Sequence, residues 1–124
     1  MSAKILVVDD EQNLRDLIQF RLQAKGFAVE NASNGAEAIE KAKANRPDLI
    51  VLDVMMPDLD GFAVLEIIKG EESGLKDVKV LLLSAKGAAD DVEKGMNAGA
   101  NGYMAKPFRA ENLIEEIEKI LEAN

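Results

Sequence analysis

The stretch Asp48-Leu49-Ile50-Val51-Leu52-Asp53-Val54-Met55-Met56-Pro57-Asp58-Leu59-Asp60-Gly61 decides the architecture. Its first part is a continuous aliphatic run led in by Pro47, the composition of a strand whose two faces are both covered by helices. The run ends in Asp53, and a loop carries the chain to Gly61-Phe62, where a helix opens with Val64, Leu65 and Ile68 on its inner face. The same plan recurs on either side. Ile5-Leu6-Val7-Val8 runs into Asp9-Asp10, Val80-Leu81-Leu82-Leu83 into Ser84, and Gly102-Tyr103-Met104-Ala105 into Lys106-Pro107. If these runs are parallel strands, their terminal side chains meet at the carboxyl edge of one sheet, where open α/β sheets bind ligands.

The remaining segments complete an alternation of five strands and five helices. Strands are predicted over 4–8, 27–31, 48–53, 78–84 and 101–105. In the first helix Leu14, Leu17, Ile18 and Leu22 recur at helical spacing, with Gly26 as the cap beyond Lys25. Asn34 and Glu37 make a capping-box-like start for the second, which carries Ala38, Ile39 and Ala42. Positions 88–98 form the fourth, weakened by Gly87, Gly95 and Gly99. Glu111 to Glu122 closes the chain with Leu113, Ile114, Ile117, Ile120 and Leu121 inward. Such alternation implies βαβ units and a parallel sheet. Strands one, three and four are almost pure Ile/Leu/Val, whereas two and five carry polar residues or Gly, as edge strands do. The expected fold is therefore α/β, a flavodoxin-like (βα)5 doubly wound sheet of strand order 2-1-3-4-5, with residues 1–124 as a single domain.

Composition removes whole classes of chemistry. Without Cys there is no thiol nucleophile, disulfide or thiolate metal site, and without His no imidazole base or phosphohistidine on this chain. A net charge of −8 disfavours direct nucleic-acid or anionic-membrane binding and suits hard cations and basic protein patches. The start at Met1-Ser2-Ala3-Lys4 leaves no room for a signal peptide, and no run approaches a membrane span, so the expectation is a cytoplasmic protein.

Asp9, Asp10 and Asp53 would flank the switch point between strands one and three. Three carboxylates crowded together repel unless a cation joins them. An oxygen-only set points to Mg2+ or a similar hard ion. A carboxylate placed as Asp53 is can attack phosphorus, and Lys106 could pair with it at rest and with a phosphoryl oxygen afterwards. Ser84 could donate its hydroxyl to a phosphoryl oxygen, although a Ser after a strand is more often a turn residue or an N-cap. Tyr103 reads as an edge-strand packing residue.

These marks together resemble a response-regulator receiver domain of two-component signalling: Val7-Val8-Asp9-Asp10-Glu11, Leu52-Asp53-Val54-Met55-Met56-Pro57 with Asp60-Gly61, Leu83-Ser84-Ala85 and Lys106-Pro107-Phe108. They stand in the right order across nearly the whole chain. The resemblance implies that Asp53 is the phosphoacceptor, and that Asp9, Asp10, Asp53 and the Met55 backbone carbonyl hold Mg2+, with Mn2+ as a substitute. It also implies that Ser84 and Lys106 contact the phosphoryl oxygens, that Lys106-Pro107 is a cis peptide, and that Tyr103 is the switching aromatic. Met55 and Lys86 fall at places associated with how long the phosphate lasts.

The implied partners are a histidine kinase or histidine phosphotransfer protein and a downstream target protein, or a C-terminal output domain if the receiver is cut from a longer chain. The implied behaviour is a phosphoacceptor switch that assists its own phosphorylation and dephosphorylation, without turnover of a substrate. A flavin or nucleotide module on the same fold would need a phosphate cradle after the first strand, where Asp9-Asp10-Glu11 would repel it. A haloacid-dehalogenase-type phosphatase would need an Asp where Met55 stands. An interaction domain that keeps the fold without phosphorylation has no need of the intact Asp53, Lys106 and acid pair.

Overall fold

The computed structural model describes residues 3–56, 58–85 and 89–122. Met1, Ser2, Pro57 and the Lys86-Gly87 pair, on which some expectations above fall, lie outside the described residues, as does position 88 of the fourth helix. The chain alternates β1 (Lys4–Val8), α1 (Gln12–Ala24), β2 (Ala28–Ala32), α2 (Gly35–Asn45), β3 (Leu49–Asp53), α3 (Gly61–Lys69), β4 (Lys79–Ala85), α4 (Ala89–Asn97), β5 (Gly102–Lys106) and α5 (Ala110–Glu122). All pairings are parallel and the order is β2-β1-β3-β4-β5, the doubly wound arrangement expected from the sequence.

The uninterrupted apolar runs of the three inner strands become two separate cores, because successive side chains in a strand point to opposite faces. Leu6, Val8, Ile50, Leu52, Val80 and Leu82 pack with α2 and α3 residues, among them Ala38, Ala42, Val64, Leu65 and Ile68. Ile5, Val7, Leu49, Val51, Leu81 and Leu83 pack with Ile18 and Leu22 of α1 and with Leu113, Ile114, Ile117 and Ile120 of α5. Both edge strands are only partly covered, as their polar and Gly content anticipates.

Several expectations shift in detail. The observed β2, β4 and β5 each begin and end one residue later than the sequence pattern predicts, which brings Lys106 inside its strand. Leu17, counted on the apolar stripe of α1, is 51% exposed, and Ile18 and Leu22 alone are buried there. The start of α2 is capped by Asn34, whose side chain accepts from the Glu37 N–H at 2.8 Å. Glu37 reaches past Asn34 and accepts from the Ser33 N–H at 2.6 Å, closing the box one residue further out.

Register sets the functional edge. Val8 pairs with Leu52, so Asp9, the first residue beyond β1, stands beside Asp53, the last residue of β3, which pairs with Leu83. Gly61 then lets α3 approach the strand end. A Cβ there would lie 2.5 Å from the Asp53 carbonyl oxygen and 2.8 Å from Val54 Cα, so only glycine allows the Gly61 N–H to reach the Val54 carbonyl at 2.8 Å.

Candidate phosphoryl and metal site

Two carboxylates at this edge are almost fully removed from solvent: Asp9 is 0% and Asp53 3% exposed. Charge of that kind is tolerated in a protein interior only when paired. Lys106 supplies the pairing, its Nζ donating to Asp9 Oδ2 at 2.9 Å and to Asp53 Oδ2 at 3.0 Å. Backbone donors take the other oxygens. The Glu11 N–H reaches Asp9 Oδ1 at 2.9 Å and the Met55 N–H reaches Asp53 Oδ1 at 3.1 Å. The Arg15 guanidinium fixes the turn beneath by donating to the Asp9 carbonyl at 2.7 Å.

The exposed Asp10 completes the cluster: one oxygen from each of Asp9, Asp10 and Asp53 lies within 4.8 Å of the others. Such a donor set, hard oxygens only, fits Mg2+ better than a soft transition metal. Burial first, and the neighbouring Asp9 charge second, push the Asp53 carboxyl above its ordinary value despite the Lys106 ammonium. For Lys106 burial opposes the charge, but the hydrogen bonds and charges of Asp9 and Asp53 outweigh it and raise its pKa. The Lys106–Pro107 peptide is cis. From these groups an open cleft of about 620 Å3 leads outward between Asp10, Leu14, Met55, Ala85 and Phe108. The Met55 side chain is 70% exposed at its rim.

Asp9, Asp10, Asp53 and Lys106 thus come together, and Ser84 does not join them directly. Strand alternation explains the difference. Val51 and Asp53, Met104 and Lys106 share the sheet face covered by α1 and α5, whereas Ser84 shares the face of Val80 and Leu82. Its hydroxyl, 1% exposed as a residue, donates instead to Asp91 Oδ2 in the first turn of α4 at 2.9 Å. Tyr103 is half-buried on the edge strand β5. Sequence reasoning passed over Asp91, Arg15 and Asp58. The one available signal for Asp91 was an acid pair, Asp90-Asp91, in the helix that follows Ser84, and such a pair ordinarily answers to the helix dipole.

A family model for the response regulator receiver domain matches residues 5–118. The chain belongs to that family. The receiver is 41% identical over 121 residues to the alkaline phosphatase synthesis transcriptional regulatory protein PhoP of Bacillus subtilis, covering 98% of this chain and 49% of that protein. It is 39% identical over 121 residues to the response regulator MprA of Mycobacterium tuberculosis, with 98% of this chain and 51% of that protein covered. This receiver therefore spans about half the length of the curated relatives it matches. Among solved structures it resembles the chemotaxis protein CheY4 of Vibrio cholerae, with a TM-score of 0.90 at 33% identity over 97% of this chain and 99% of that one. It also resembles the BeF3-activated DrrB receiver domain, with a TM-score of 0.87 at 32% identity over 98% and 99% of the two chains. Among the described residues of the receiver no helix is long and apolar enough to cross a membrane.

Proposed function

We propose that this receiver is a phosphorylation-activated switch whose phosphoacceptor is Asp53. The observation that carries the reading is the single ammonium of Lys106 bridging two buried carboxylates, Asp9 and Asp53, at the carboxyl edge of the sheet. One Asp53 carboxylate oxygen bonds to phosphorus as the phosphorus–nitrogen bond of a phosphohistidine breaks, and the imidazole leaves with the partner. This sequence contains no His, so the donor histidine lies outside residues 1–124, on a histidine kinase or a histidine phosphotransfer protein.

The residues divide the work. Lys106 follows the negative charge from the Asp53 carboxylate onto a phosphoryl oxygen, and Ser84 donates to a second. The backbone N–H of Met55 holds the Asp53 side chain in place for attack. Asp9, Asp10, Asp53 and the Met55 carbonyl would hold Mg2+, with Mn2+ as a substitute. When bound, the ion supplies charge neutralisation among donor, phosphoryl group and carboxylates, which is most of what phosphoryl transfer needs.

The signal then leaves through Ser84 and Tyr103 to the surface of α4, β5 and α5, which binds a downstream target or a C-terminal output domain. Residues 1–124 act as one domain in the cytoplasm, and the same site assists loss of the phosphate without turnover of a separate substrate. Intact mass after incubation with acetyl phosphate tests this. One phosphoryl adduct is expected, dependent on Mg2+ and absent in Asp53→Ala. An adduct that survives in Asp53→Ala, or none on the wild type, overturns the assignment.

A further inference from the structure

We propose that Asp91 is a positioning residue for the phosphoryl site, holding the Ser84 hydroxyl in a resting position from which phosphorylation must withdraw it. The inference rests on the function proposed above and adds a competitor to it. A serine hydroxyl has one proton to donate. That proton is committed to Asp91 Oδ2 at 2.9 Å, in a residue buried to 1%. Ser84 therefore cannot serve a phosphoryl oxygen and Asp91 as donor together.

The bond gains strength because its acceptor is a carboxylate. It also ties down the amino-terminal turn of α4. Further along, that helix rests on the sheet by close approach: a Cβ at Gly95 would collide with Leu82 Cδ1. The Lys94 ammonium lies 4.4 Å above the Phe62 ring of α3. Withdrawal of the Ser84 proton leaves those two contacts in place and releases only the first turn, which carries the Asp90-Asp91 acid pair. The same hydroxyl thus reads the phosphate and lets go of the helix. The energy of the Ser84–Asp91 bond sets how much of the protein is poised for phosphorylation beforehand.

Binding of fluoroberyllate with Mg2+ tests the proposal, read from the fluorescence of the single tyrosine, Tyr103, and alongside it the rate of phosphorylation by acetyl phosphate. Asp91→Ala is expected to bind fluoroberyllate about tenfold more tightly than wild type and to be phosphorylated faster, as loss of one charge-assisted hydrogen bond predicts. Asp91→Asn keeps an acceptor oxygen without the charge and is expected to fall between the two. In a Ser84→Ala background the Asp91→Ala change is expected to leave affinity within twofold. Equal or weaker binding by Asp91→Ala overturns the proposal. So does the same gain in the Ser84→Ala background, which would mean that Asp91 acts by its charge alone. If wild-type protein neither binds fluoroberyllate nor accepts phosphate, the functional reading fails, and this inference fails with it. That outcome shows in the wild-type measurement, separately from any failure of the Asp91 series.

Discussion

Helices α3 and α4 lie beside each other over the same face of the sheet, yet one is locked to it and the other is lightly held. Helix α3 buries Phe62, Val64, Leu65 and Ile68, is capped by Asp60 accepting from the Ala63 N–H at 2.9 Å, and touches the strand end through Gly61. Its last residue, Lys69, donates to the Val78 carbonyl at 2.7 Å. In α4 the one fully buried position among the described residues is Gly95, which offers no side chain. Among the described residues its side chains are held by a half-buried Val92, a ring contact from Lys94 and the Ser84–Asp91 bond. The difference assigns roles. Under the proposed function, the α3 side would serve as the unmoving frame a phosphoacceptor needs and the α4 side as the element of low local stability a signal needs.

The largest test of this contrast is truncation on each side. Leu65→Ala is expected to cost about 3 kcal/mol, the usual loss for a fully buried leucine. Val92→Ala on the half-buried face of α4 should cost under about 1 kcal/mol. Urea denaturation measures both, and equal losses would erase the asymmetry. Next comes the cation on the opposite face of the sheet, at the strand ends. Lys106→Ala leaves Asp9 and Asp53 buried without their partner and is expected to cost about 2 kcal/mol at neutral pH, less than in a closed interior because the cleft admits water.

Asp53 should move stability the other way. Its folded-state pKa is raised above the ordinary 3.8, chiefly by burial, so folding favours its protonated form. The favourable contribution is complete below 3.8 and is lost as pH rises through the raised value. Asp53→Asn is accordingly expected to stabilise by about 1 kcal/mol at pH 7, with the gain vanishing in acid. Urea midpoints from acid to neutral pH check the sign.

The smallest effect concerns a tie on the α3 side. Asp58 accepts from the Gly35 N–H at 2.9 Å and the Ala36 N–H at 3.1 Å, joining the loop before α3 to the start of α2. Those bonds, the Gly35 N–H first, lower its pKa below 3.8, so its contribution is present above 3.8 and lost as pH falls through the depressed value. Asp58→Asn should flatten the fall of Tm in acid relative to wild type. A parallel pair of pH profiles would remove Asp58 from the frame.

Much of this was legible in the chain. The apolar runs and their terminal residues named the strands, the order and the acid cluster, because a strand covered on both faces has a composition no edge strand shares. What escaped was local. Leu17 satisfies the helical period of α1, but period alone does not say how wide a stripe the sheet will cover, and the sheet covers Ile18 and Leu22. The parity of Ser84 could be read from its strand, but not which helix its hydroxyl would meet on that face, and the partner turned out to be Asp91 of α4. Asp91 and Asp58 escaped for another reason: their partners, Ser84 and Gly35, lie 7 and 23 residues away, across turns whose geometry the residue types do not dictate.

By itself, then, the sequence determined the doubly wound sheet, the strand order and the identities of the residues at its carboxyl edge, since these follow from hydrophobic pattern and chain connectivity. The tertiary structure decided how those residues divide. The pleat turns Asp53 and Lys106 to one face of the sheet and Ser84 to the other, and the crossover helices meet each face with different partners. A one-dimensional pattern carries the parity of each strand but not the register between strands or the helix laid against each face, and those are set only when distant segments pack.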